Sequence, residues 1–346
     1  MKKEITNNSF FSEFSLVPEN HFKLYASCIP VIGSKRGTIL DLQRGSIHFF
    51  PNTILELLEE YTGEELFEEY ALQKSILLKH FNYLYDNDLI FCTDEPLNFP
   101  DISTKNYFTP NILDFLSVEV DTLQSFKLDL FQNIDEMGIR ELVLVQNKVD
   151  IDNITQVLNL CNKSKITGII ITTPYSELIE NSKLIEILQS NSRILKWIFH
   201  STQFTKNIHS KITFNKNSLK NILCKRIENV NDFVINISAY IEAVNHNLYF
   251  NKRVYIDDKG GVKHSFDDPY LYGDLDTEEF YKIISTKRFQ ELWNVTKVHV
   301  KECSNCEFRF VCPDNRIPKK IDKKEYEHTT ICRYNPHLNI WKNEKI

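Results

Sequence analysis

Short β-branched runs recur about every 25 residues through the middle of this 346-residue chain, and helical spacing fills several of the gaps between them. The runs are Ser117-Val118-Glu119-Val120, Glu141-Leu142-Val143-Leu144-Val145, Thr167-Gly168-Ile169-Ile170-Ile171-Thr172, Ile194-Leu195-Lys196-Trp197-Ile198-Phe199 and Phe233-Val234-Ile235-Asn236-Ile237, with a weaker one at Ile212-Thr213-Phe214. Phe126 to Met137 and Leu178 to Leu188 are two of the intervening helical stretches. Strands alternating with helices at this pitch imply βα units and a parallel sheet. The expected fold class is α/β, with six such units forming a partial (β/α)6 barrel.

The segments on either side follow other patterns. Upstream, Phe22 to Ser27, Gly37 to Leu42 and Ser46 to Phe50 alternate as strands do, with a turn at Gln43-Arg44-Gly45. Ile54, Leu55, Leu58 and Tyr61 share one helical face, Thr62-x-x-Glu65 is a capping box for a second helix, and Ser75 to Leu84 is a third, before the strand Leu89 to Cys92. A hairpin, three short helices and a strand make the order of a winged-helix module. Downstream, Arg253 to His264 is a hairpin turning at Asp258-Lys259-Gly260-Gly261, and Asp276-x-x-Glu279 caps a helix running through Phe280, Ile283, Ile284, Phe289 and Trp293. The expected domains are residues 1–95, a linker over 96–110 marked by Pro96, Pro100 and Pro110, a barrel over 111–245, and a C-terminal unit over 246–346.

That C-terminal unit carries half of the eight cysteines, at spacing C-x2-C-x5-C-x19-C: Cys303, Cys306, Cys312 and Cys332. The N-terminus is polar with no apolar signal core, and no apolar run of about 18 residues occurs, so the expected location is cytoplasmic with no membrane partner. Clustered cysteines in a reducing compartment point to metal rather than disulfides. Cys28, Cys92, Cys161 and Cys224 stand singly among apolar residues and read as small buried hydrophobes. Net charge is -6, which gives no electrostatic footprint for nucleic acid, and Ser75 to Leu84 offers only Lys79 to a phosphate backbone. The acidic stretch from Glu56 to Glu69 and the basic one at Lys319, Lys320, Lys323 and Lys324 read as solvated faces.

Two resemblances follow from these patterns. The N-terminal order resembles the PqqD-type peptide-recognition module of enzymes that modify ribosomally made peptides. It implies that a leader peptide adds as a strand to the hairpin edge beside a helix. The hairpin with Ile256-Asp257-x-x-Gly260, the Tyr272-Gly273-Asp274-Leu275 turn, the capped helix and the cysteine spacing together resemble a SPASM domain, the C-terminal extension of radical SAM peptide maturases. With the barrel before it, the whole resembles the SPASM-domain maturase of grasp-with-spasm (graspetide) systems, and Ala26 to Gly33 with Asp41-Leu42-Gln43-Arg44 fits that family's N-terminal region.

The resemblance implies one 4Fe-4S cluster on Cys303, Cys306, Cys312 and Cys332, with zinc as the alternative, since thiolate spacing alone admits both. A second auxiliary cluster is not implied, because Arg316 and His264 stand where two of its ligands belong. The radical SAM signature CxxxCxxC belongs after the first barrel strand, but the chain there reads Val118-Glu119-Val120-Asp121-Thr122-Leu123-Gln124-Ser125-Phe126-Lys127, and the signature occurs nowhere. S-adenosylmethionine is accordingly not expected. The partners implied are a precursor peptide, through its leader, and an ATP-grasp ligase. His200 and His209 could face a barrel mouth, but neither has an acid-base partner legible in sequence, and no catalytic residue is assigned.

Overall fold

The computed structural model describes residues 21–60, 71–103, 109–176 and 181–342. Its largest element is a nine-stranded sheet, and six neighbouring strands of it run parallel. The N-terminal strands β1 (His21–Leu24), β2 (Cys28–Val31), β3 (Gly37–Asp41), β4 (Ser46–Phe50) and β5 (Ile90–Thr93) precede it, with helices α1 (Asn52–Glu60) and α2 (Lys74–Asp86) between β4 and β5. β1 pairs antiparallel with β5, whereas β2, β3 and β4 form a separate antiparallel meander. The turn from β3 to β4 is set by Asp41, whose carboxylate accepts from the Gln43 and Arg44 backbone and the Arg44 guanidinium, and Gly45 supplies the left-handed φ of +70°. The Thr62–Glu65 capping box and most of the acidic stretch lie outside the described residues.

The central sheet contains β6 (Phe115–Glu119), β7 (Glu141–Val145), β8 (Gly168–Pro174), β9 (Ile194–His200), β10 (Lys206–His209), β11 (Ile212–Phe214), β12 (Arg253–Ile256), β13 (Gly261–Lys263) and β14 (Gly273–Asp274), in the order β10-β11-β9-β8-β7-β6-β12-β13-β14. Helices α3 (Ser125–Gln132), α4 (Ile151–Leu160) and α5 (Asn181–Ser190) connect β6 through β9. Strand alternation puts Leu116, Leu142, Ile169 and Trp197 in the core shared with Leu130, Phe131, Ile154 and Leu184 of these helices. The opposite face presents Ser117, Val143, Ile170, Thr172, Ile198 and Tyr255 to a cavity of about 280 Å³. Short helix α6 (Leu219–Leu223) also lines that cavity through Ile222 and Leu223.

Three expectations fail locally, one being the single helix capped by Asp276-x-x-Glu279, which is two short helices, the first with Glu279 at its N-cap and no side-chain cap bond. Phe233 to Ile237 is not a strand: the Asn229–Asp232 capping box turns the chain before it, and the Asn236 side chain accepts from Ala239 N to start helix α7 (Ile237–Asn245). Phe233 and Ile235 instead pack on Phe308 and its neighbours. The sixth parallel position is taken by β12, which pairs with β6 as well as forming the expected hairpin with β13.

After β14 come two short helices, α8 (Phe280–Ile284) and α9 (Lys287–Gln290), then the cysteine-bearing loop and two ribbons, β15 (Pro318–Lys320) with β16 (Tyr326–His328) and β17 (Tyr334–Asn335) with β18 (Ile340–Trp341). All five residues of β3 are buried. One face of the meander, through Ile39, meets α1 and α2, while the other, through Leu40, meets Phe308, Val311, Tyr334 and Trp341. The N-terminal sheet is thus packed between its own helices and the segment that carries the cysteines. Among the described residues no helix is long and apolar enough to cross a membrane.

Candidate metal centre

Tight turns bring the first three cysteines together: Cys303 N bonds to Val300 O, Cys306 N to Cys303 O and Val311 N to Phe308 O. Cys332 arrives from the loop between β16 and β17. All four line one cavity of about 260 Å³, with Lys297, Asp314, Arg316 and His328 also in its wall. Among the described residues no group of three or more His, Cys, Asp or Glu is arranged to hold a single metal ion. Burial pushes the Cys303 thiol up to about 11 and raises those of Cys306 and Cys312 well above the usual thiol range, with Lys297 pulling Cys303 and Cys312 the other way. Alone, these groups are thiols; a cationic occupant is what would make them thiolates.

The cavity is tied to the N-terminal sheet by polar contacts. Glu307, next to Cys306 and fully buried, accepts from Arg36 Nε at 3.1 Å and from the Tyr334 hydroxyl, while its backbone oxygen accepts from Thr38 Oγ1 at 3.1 Å. Arg309 donates to Ile32 O at 2.8 Å and Cys306 O at 2.9 Å, and Ser34 N to Asn305 O at 2.8 Å. A Cβ on Gly33 would stand 2.4 Å from Arg36 O and 2.9 Å from Glu307 Cβ, so only glycine permits this approach.

His264 and Arg316 have other partners. His264 is fully buried, stacked on Phe289 at 4.2 Å and edge-on to Tyr272 at 4.7 Å; burial holds its imidazole down near 3, hence neutral. Arg316 closes on Asp314 through Nε at 2.8 Å and Nη2 at 2.6 Å.

The loop after β6 is organised around an ammonium. Lys127 is fully buried and donates to Glu119 O at 2.7 Å, Asp258 O at 2.9 Å, Thr122 O at 3.1 Å and Asp258 Oδ1 at 3.2 Å. Sequence reasoning missed this cage, since a lysine in a helical segment reads as a solvated residue. Beside it, Tyr255 donates to Glu119 Oε1 at 2.6 Å, and burial raises the Glu119 carboxyl above its usual range. His200 ends β9 with Nε2 3.2 Å from Gln146 O and Nδ1 3.1 Å from Ser201 Oγ, so its ring is satisfied in place. His209 is exposed on β10 beside Ser210.

Together these features define a mixed α/β protein with a six-stranded parallel core and a four-thiol cavity fastened to an N-terminal sheet. No family model matches the chain, and no curated protein does. One solved structure, that of Streptococcus suis SuiB bound to S-adenosylmethionine, aligns over 84% of this chain and 94% of its own at 10% identity and a TM-score of 0.36.

Proposed function

We propose that this chain is an accessory maturase in ribosomal peptide modification, binding a precursor's leader through residues 20–95 and supporting a partner ATP-grasp ligase. The observation that carries the reading is an edge of the N-terminal meander that no described strand covers. Beyond β2 the chain is held against the cysteine loop at Ile32 and Ser34, whereas β4 has β3 as its one strand neighbour among the described residues. β4 also runs beside α2, where His48 Nδ1 meets the Tyr83 hydroxyl at 3.0 Å and Phe50 packs edge-on against Tyr83. An extended peptide can add to such an edge through backbone hydrogen bonds, with side chains meeting the helix.

In this reading Cys303, Cys306, Cys312 and Cys332 hold one 4Fe-4S cluster as a structural staple for the loop-rich segment. The donor chemistry fits, being four thiols on one cavity. A single zinc would draw four thiolates to about 3.8 Å of one another, taking a tetrahedron with bonds of about 2.3 Å. The x5 step and the lone Cys332 suit a cluster better than the two C-x2-C pairs from which four-cysteine zinc sites are usually built. The ammonium of Lys127 after β6 agrees with a barrel serving as scaffold.

A second reading, a peptide-modifying enzyme with its chemistry in the barrel, is favoured by the 280 Å³ inner cavity and the Glu119–Tyr255 pair at the strand ends. Incubating the neighbouring precursor with the ligase and ATP, with and without this protein, separates the two. The accessory reading predicts loss of water from the precursor, one molecule per ester or amide cross-link, only with all components present. A mass change with this protein and no ligase would contradict it.

A further inference from the structure

The thiol cavity has a charged inner wall whose pairing is incomplete. Lys297 is 2% exposed, yet among the described residues its ammonium reaches Asp314 alone, at 3.4 Å from the backbone oxygen and 3.6 Å from Oδ2. Charge-assisted bonds are normally about 2.7–2.9 Å, so neither contact is a full partner for a group with three protons to donate. Asp314 is meanwhile committed to Arg316, which takes Oδ2 through Nε and Nη2 and Oδ1 through its backbone N at 3.2 Å. Two cations thus share one carboxylate.

His328 completes the wall. It is 7% exposed, and its Nε2 lies 3.5 Å from Asp314 Oδ2, too far for a full hydrogen bond. Burial and the neighbouring Lys297 and Arg316 keep it neutral. Glu302, the remaining carboxylate of the cavity, is exposed at its rim, where water screens it. The buried wall therefore carries an excess of one positive charge, and a buried charge without a counter-charge is strongly unfavourable. Every member of the wall lines the same cavity as the four thiols.

We propose that Lys297 is the counter-ion of the four-thiolate centre and that its charge raises the centre's reduction potential. The inference rests on the cluster reading above. A metal bound by four thiolates is anionic overall, and an ammonium beside it stabilises the reduced, more negative state over the oxidised one.

The test uses the full chain purified without oxygen, with iron and sulfide analysis and a mediated redox titration followed by electron paramagnetic resonance. The expected result is iron and sulfide in both wild type and Lys297→Met, with the variant's midpoint at lower potential, and Lys297→Arg close to wild type. Should Lys297→Met fail to load, a loaded Lys297→Arg with a near-native midpoint supports the charge role, and failure of both variants overturns it. Equal midpoints in loaded wild type and Lys297→Met overturn the role of Lys297 alone. Zinc instead of iron in the wild type overturns the cluster reading and, with it, this inference.

Discussion

Replacing Glu307 by alanine tests whether the N-terminal sheet and the cysteine segment form one unit. The carboxylate is fully buried, and its Arg36 partner is 29% exposed. Removing one member of a buried ion pair costs about 3–5 kcal/mol, because the other is left uncompensated. Arg36 can still be hydrated from its open side and stacks on Phe49 at 3.9 Å, which places the ionic part near the lower bound. The Tyr334 hydroxyl loses its acceptor as well, adding about 1 kcal/mol. The expected loss is therefore about 4 kcal/mol. Urea unfolding followed by fluorescence reads it, since Trp341 lies in the shared core against Tyr334 and Phe233. A loss under about 1 kcal/mol, below even the partner-removal cost, would refute the argument that this junction is clamped through Glu307.

Gly33→Ala places a methyl against backbone and Glu307, so it should loosen the same junction, read as faster proteolytic cleavage between residues 94 and 110. Lys127→Met removes the ammonium from Glu119 O, Thr122 O and Asp258, while Thr122 N and Oγ1 still donate to Asp258 Oδ1 and Gln124 Nε2 to Asp258 O; a loss of about 3 kcal/mol in urea unfolding, the lower end for a broken buried ion pair, is expected. Asp232 is raised by burial but lowered further by Lys225 and by the Glu228 and Asn229 amides, so its folded pKa falls below 3.8. Its stabilisation is present above 3.8 and lost as pH falls through the folded value, so the stability gap between wild type and Asp232→Asn should close in acid.

The parallel core was legible because its strands are apolar, short and separated by helical spacing. β6 through β9 appear within a few residues of where the β-branched runs lie, and even the weak run at Ile212 became β11. Phe233 to Ile237 misled for a local reason: β-branched residues favour a strand, but Asn236 offers its side chain to a helix start and the capping interaction prevails. β12 was legible as half of a hairpin but not as a neighbour of β6, since parallel pairing across more than 130 residues leaves no trace in a single sequence. The same limit hid the second burial of β3. Gly37-Thr38-Ile39-Leu40-Asp41 shows no alternation, and what covers its other face lies about 270 residues away, at Glu307 and Phe308. Cysteine spacing pointed to thiols that come together, and the four do line one cavity, whereas Lys297, six residues before the first thiol, carries no motif and became visible only through its burial.

Leader binding is the central role proposed for the N-terminal module. Titration calorimetry of the purified protein with the precursor peptide encoded beside it, and with that precursor lacking its leader, tests this. Binding at micromolar strength or tighter that disappears with the leader is the predicted result. Absence of binding to the intact precursor, or equal binding once the leader is gone, would contradict it.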